Sequence, residues 1–166
     1  MREFILSSTG VSGMTVLGAS TLNFINPPAG SSIDISFIRH WVGQVANVNS
    51  VMQPIQLVTQ VTAFPTLISA TPRRVQLADP NASTITGATN GAAGTCGINA
   101  SSEGAGAKTL WWPDSFNVVN GYLKVNTPEE RDVIPSAYTS GVGLWFSVAP
   151  ATLTGWTWGE TFAEIA

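Results

Sequence analysis

Pro54-Ile55-Gln56-Leu57-Val58-Thr59-Gln60-Val61-Thr62, closed three residues later by Pro65, decides the fold class. Ile55, Leu57, Thr59 and Val61 fall on one side of an extended chain and Gln56, Val58, Gln60 and Thr62 on the other, the period of two that marks a half-buried strand. A helix would need apolar residues three and four apart. The prolines bound the run because proline has no N–H to give to a ladder. Working outward, Ile33, Ile35 and Phe37 alternate with Asp34, Ser36 and Ile38, and the run continues into His40-Trp41-Val42. Further strand candidates are residues 14–17 with 21–25, then 67–70, 74–78, 115–119 with 122–125, 132–134, 142–148 and 155–165. Roughly eight to ten short strands result, with the even spacing of sandwiches and barrels. The expected fold is therefore all-β, an antiparallel β-sandwich, the periodicity leaving jelly roll and other Greek-key strand orders open.

Turn chemistry separates these runs. Asn26-Pro27-Pro28-Ala29-Gly30, Asp79-Pro80-Asn81, Asn120-Gly121 and Asn126-Thr127-Pro128 set residues that accept turn dihedrals between apolar stretches. Asn120-Gly121 reads as the tightest hairpin. Thr127-Pro128-Glu129-Glu130-Arg131 reads as one helical turn, with a cap, a proline at the first position and acids in the first turn. Residues 86–107 are dense in Gly, Ala, Thr, Ser and Asn and read as a long Gly-rich loop. The chain of 166 residues reads as one domain, with residues 1–13 as an N-terminal arm.

Only 10% of the residues are charged while 44% are apolar, against about 25% charged in an ordinary soluble domain. Charge keeps free proteins apart, so a chain with so little is expected to be covered by copies of itself or by another protein. The seven cationic side chains, Arg2, Arg39, Arg73, Arg74, Lys108, Lys124 and Arg131, form no stripe for nucleic acid. Phe4-Ile5-Leu6 is too short for a secretory apolar region, and no apolar run is long enough to span a membrane. The single cysteine, Cys96, excludes an intramolecular disulfide and fits a reducing compartment.

Candidate chemistry is sparse. His40 is the only histidine, which leaves one base for any nucleophile and no multi-histidine metal set; on its strand it reads as a half-buried packing partner. Cys96 lies in Gly94-Thr95-Cys96-Gly97 and reads as a small loop residue. Glu160 and Glu164 share a strand face about 13 Å apart, too far for a glycosidase pair, and read as polar rim. Asp79, Asn81, Asp114, Glu129, Glu130 and Asp132 do not follow the spacing of a calcium loop. The expectation is a protein that is not an enzyme and holds no cofactor or metal.

Aromatic surface is what the sequence supplies, with six tryptophans. Trp111 and Trp112 are adjacent, so on an extended chain one points away from the core, and outward tryptophans are typical binding hot spots. Trp145 and the pair Trp156 and Trp158 read as core; Trp156 and Trp158 share a face, and whether Phe162 joins it depends on a bulge at Gly159. The residues expected to bind a partner are Trp111, Trp112 and Tyr138, with Arg2, Glu3, Phe4, Ile5 and Leu6 as an arm that adds a strand to a neighbour's open edge. Deletion of residues 1–8 is then expected to weaken docking without unfolding the sandwich.

The order of elements, with the passage Thr127-Pro128-Glu129-Glu130-Arg131-Asp132-Val133-Ile134-Pro135 leading from a turn into a strand and a last strand ending in Phe162-Ala163-Glu164-Ile165, resembles small tailed-bacteriophage virion proteins of the jelly-roll or β-sandwich type. The resemblance spans most of the chain. It implies a capsid decoration, or cement, protein: a homo-oligomer, in the form of a trimer, made in the host bacterial cytoplasm and sitting on the capsid surface between copies of the phage major capsid protein. The alternative expectation is a carbohydrate- or receptor-binding module of a tail or head fibre, in which Trp111, Trp112, Trp156 and Trp158 form a platform for a host glycan.

Overall fold

The alternating run at 55–60 lies in β4 (Met52–Gln60), which has strand neighbours on both sides. Its Ile55 and Leu57 are fully buried in the interior. The alternation fails at the end of the run, where Gln60 is buried and Val61 is half exposed, because the chain turns at Thr62, whose φ is 93°. The structure, a computed structural model, describes residues 1–10, 13–14, 19–45, 49–136 and 138–166. The strand expected at 14–17 falls mostly outside the described residues.

Two antiparallel sheets pack as a sandwich. Sheet A runs β10 (Tyr122–Val125), β3 (Asp34–Gln44), β13 (Trp156–Ile165), β1 (Arg2–Ser7), β6 (Arg73–Arg74), with β11 (Val133–Ile134) also on β3. Sheet B runs β5 (Thr66–Ser69), β8 (Thr95–Ser102), β2 (Ser20–Asn26), β12 (Gly141–Phe146), β4, β9 (Lys108–Asn117), with β7 (Thr86–Gly87) parallel to β8. The expected helical turn is a 3-10 turn at Pro128–Glu130; Thr127 gives its hydroxyl to Glu130 instead of capping the backbone.

The core forms where the inner faces meet. Sheet A contributes Phe4, Leu6, Ile35, Phe37, Val42, Trp156, Trp158 and Phe162; sheet B contributes Ile25, Ile55, Leu57, Ile98, Val142, Leu144 and Phe146. Trp156, Trp158 and Phe162 share one face of β13 because its alternation is unbroken; the extra residue of the bulge is Ile38 on β3. Both indoles give their N–H to backbone carbonyls, Trp156 to Thr152 and Trp158 to Leu22, so two large aromatics are buried with no donor left unpaired.

Three expectations are corrected. The N-terminal segment is not an arm: β1 pairs with β13 along its whole length and with β6 on the other side, and Phe4 and Leu6 sit in the core. Its apolar residues gain more from burial in their own sandwich than from a neighbour's edge. Residues 86–107 are not one loop, since β8 occupies 95–102 between β2 and β5. Glycine is used there for close approach: a Cβ on Gly97 would stand 2.7 Å from that of Leu67. Asn120-Gly121 is not a hairpin within one sheet; it carries the chain from β9 of sheet B to β10 of sheet A, with Gly121 at φ 72°.

Candidate functional site

β9 is the open edge of sheet B, with a strand partner on one side only. Edge strands present unpaired backbone groups, and this one is ten residues long. Its register against β4 slips by one between Leu110 and Trp112, so Trp111 is the extra residue of a bulge. The bulge resolves the adjacent pair: Trp111 is turned out, 38% exposed, beside Leu110 at 50%, and Trp112 is turned in and half-buried.

Trp112 closes the corner between the sheets. Its Nε1 donates to Asp132 Oδ2 (2.9 Å), and the Lys124 ammonium lies 3.8 Å from its ring centroid while pairing with the same carboxylate at 3.1 Å. Asn126 adds a third donor to that oxygen. Tyr122, on β10, gives its hydroxyl to Asp114 of β9, and burial, then the Asp114 carboxylate, push its phenol above the usual range. These contacts tie the edge strand to sheet A and fix what lies outside them.

Outside them is a groove of about 340 Å³ running between β9 and the β11 segment. Leu110 and Trp111 form one wall, Val133, Pro135 and Tyr138 the other, with Thr59 and Thr109 at its polar margin. Val133 and Tyr138 are 40% and 36% exposed. Trp111 and Tyr138, far apart in sequence, thus face one cleft. Trp112 does not reach it; its role is to hold the cleft's floor.

The remaining candidates are built into the two sheets and form no open site. Arg2, Glu3, Phe4, Ile5 and Leu6 belong to β1, in the interior of sheet A and away from any open edge. Trp156 and Trp158 are 1% exposed, so the four-tryptophan platform expected for a glycan does not exist. His40 is fully buried, not half-buried, because the extra residue at Ile38 shifts the alternation of β3 and turns the imidazole inward, toward Phe37 (5.1 Å) and Trp112 (5.7 Å). Glu160, opposite it on β13, is buried as well, with Oε2 3.3 Å from His40 Nδ1. Glu164 is likewise no rim residue: Ser83 Oγ, the Thr84 backbone N–H and Arg2 all donate to it. Cys96 is a core residue of β8, its thiol directed at the Ala70 carbonyl, and burial, then the Glu160 charge, push that thiol up to about 12. A sealed imidazole and an un-ionised sealed thiol have no route to a substrate.

The acids weighed for a calcium loop are engaged at separate places. Asp132 is engaged by Trp112, Lys124 and Asn126, Asp114 by Tyr122, and Asp79 by the Asn81 backbone. Among the described residues no three His, Cys, Asp or Glu side chains group as metal ligands, and no helix is long and apolar enough to cross a membrane.

What sequence reasoning missed is Trp41. It lies on the outer face of sheet A, with the Arg39 guanidinium 5.2 Å from its ring centroid. The period of two through Ile33, Ile35 and Phe37 points Trp41 inward; the extra residue at Ile38 shifts the alternation by one and turns the indole out, so the strand pattern alone did not mark it. Comparison with protein-family models, with curated proteins and with solved structures finds no match to this chain.

Proposed function

We propose that the protein is a non-enzymatic structural subunit of a tailed-phage virion, a decoration protein that docks as a homotrimer on the outside of the head and clamps neighbouring major capsid subunits. The observation that carries this reading is the apolar groove of Leu110, Trp111, Val133 and Tyr138 beside the open edge of β9. An extended segment of a neighbouring capsid subunit fits it in one way: its backbone pairs with β9, and alternate side chains drop between Trp111 and Tyr138. The low charge of the chain supports the same reading, since an exterior with few charges is one that neighbours cover.

The mechanism is thermodynamic. A protein that binds only the mature lattice stabilises that state by mass action and so opposes the pressure of packaged DNA. A stable clamp of this kind buries about 1,600 Å² per interface, with the exposed aromatics at its centre. Electron microscopy of virions, with the copy number per particle, tests the reading: hundreds of copies on the shell are expected, and a handful at the tail or absence from the particle overturns it. The double variant Leu110→Asp, Trp111→Asp should fold normally and lose attachment; retained attachment removes the groove from the mechanism.

A further inference from the structure

The outer face of sheet A carries a second constellation, separate from the groove. Strand pairing sets Arg39, Thr161, Ile5 and Arg73 in one row across β3, β13, β1 and β6, and Trp41, Gly159 and Ser7 in the next. Gly159 determines how the indole lies: a Cβ there would stand 2.2 Å from the ring, so Trp41 rests across bare backbone of β13. Arg39 crosses the same strand, its Nε donating to Thr161 Oγ1 at 2.9 Å. From the far edge Arg73 crosses β1 and donates to Ser7 Oγ at 2.8 Å. Thr161 and Ser7 are diagonal neighbours on adjacent strands, roughly 7–8 Å apart, so two guanidinium groups lean toward one another beside an indole. Among the described residues neither makes an ion pair. Glu3, one pleat along β1 from Ile5, is the acid nearest in the register, and it pairs with neither.

On the other flank of Trp41 a shallow concavity of about 490 Å³ is bounded by Gly43, Asn120, Gly121, Leu123 and Thr157, within the size range of small-ligand sites. We propose that this face binds an acidic oligosaccharide. One sugar ring stacks its C–H face on the Trp41 indole in the concavity, where Asn120 and Thr157 meet its hydroxyls. The carboxylate of the adjoining uronate is held by Arg39 and Arg73, the planar forks that suit a carboxylate. Two convergent cations with no counter-charge favour an anion, and that is the charge complementarity the face offers. A peptide fits it less well: β13 is paired on both sides, β1 is paired with β13 throughout and with β6 at Phe4 and Ile5, and the floor between them is Gly159, Ser7 and Thr161, with no hole for an apolar anchor.

Calorimetric titration of the full chain with oligogalacturonate, and with the same oligomer methyl-esterified, tests the inference. Binding of the acidic form is expected, weakening as salt is raised, with the esterified form bound about tenfold or more weakly. Trp41→Ala should abolish binding of both forms, Trp41→Phe should retain it, and Arg39→Gln with Arg73→Gln should erase the preference for the acid while leaving the thermal unfolding temperature unchanged. No binding of the acidic form, equal affinity for the ester, or an acid preference that survives loss of both arginines overturns the proposal. So does loss of virion attachment in the arginine variant with no saccharide bound, which would make the face a protein contact; the groove variants test the docking reading independently.

Discussion

Around β2 the chain covers the outer face of sheet B, whereas it leaves that of sheet A open beside β3. On sheet B, Phe24 is 1% exposed although it points away from the sandwich interior, because Phe64 (5.7 Å), Leu67 and Ala100 cover it. The cover is pinned by Glu103, whose carboxylate accepts from the Thr21 backbone N–H (2.6 Å) and hydroxyl (2.7 Å) and pairs with Lys108 at 3.1 Å. Gly106 lets the connecting segments beside the cover touch: a Cβ there would stand 1.8 Å from the Thr62 carbonyl oxygen. On sheet A, Leu123 and Val125 remain 66% and 62% exposed beside Trp41. Where the chain covers its own sheet, aromatic burial goes into stability; where it does not, the same residue types are left for a partner or ligand.

The comparison breaks most completely at the strand that both faces depend on. Removal of residues 1–8 deletes β1 from the interior of sheet A with Phe4 and Leu6 from the core, and no cooperative unfolding transition should remain in circular dichroism. A sharp transition in the truncated chain would mean that sheet A closes without β1. The cover on sheet B comes next. Phe24→Ala should lose about 3–5 kcal/mol in denaturant titration, the range for a core aromatic, although Phe24 lies on an outer face. A loss below about 1 kcal/mol would show that the cover is not a second core.

These two residues also mark what could be read from the sequence. Strands β4, β12 and β13 were legible because each carries an apolar alternation that depends on nothing but the chain itself, and β3 was legible up to its bulge at Ile38. The outward turn of one of Trp111 and Trp112 followed from adjacency alone, though which one turned out depended on the bulge. β1 was misread because its six residues are followed by Ser8-Thr9-Gly10 and paired with a strand at the far end of the chain. Residues 86–107 were misread because glycine for flexibility and glycine for close approach have the same composition; the partners of Gly97 and Gly106, Leu67 and Thr62, lie 30 and 44 positions earlier. Glu160 and Glu164 seemed rim residues because a buried carboxylate is admissible only with partners, and His40, Ser83 and Arg2 arrive through tertiary structure.

Alkaline pH separates the interior from both outer faces. The Cys96 thiol, pushed up to about 12 by burial and the Glu160 charge, stays protonated in the folded chain where the unfolded chain has already lost its proton. Its contribution is fully present below the ordinary thiol range and is lost as pH rises toward 12. Stability should therefore fall by up to about 1.4 kcal/mol per pH unit above pH ~9, and Cys96→Ser should flatten that slope at its lower end, before Tyr122 begins to contribute in the same direction. An identical slope in the variant would place the pH sensitivity elsewhere. Gly159→Ala is milder: the added methyl meets the far end of the Trp41 ring, which can swing into solvent, and Ser7, which must give a little. About 1–2 kcal/mol is expected, less than Gly106→Ala, where the obstacle is backbone.

The smallest effect is the one most diagnostic of an open face. Leu123→Thr and Val125→Thr put β-branched polar residues on β10, at positions that fit a strand and touch little else. Stability should change by less than about 0.5 kcal/mol for each, while the corresponding exchange at Leu67, in the cover of sheet B, should cost several times more. Equal losses at the two sites would mean that sheet A's outer face is structural like its counterpart, and the spare exposure of Leu123 would then carry no functional meaning. Unequal losses leave Leu123 and Val125 as residues that folding does not need, on a face where an indole lies beside two guanidinium groups that make no ion pair among the described residues.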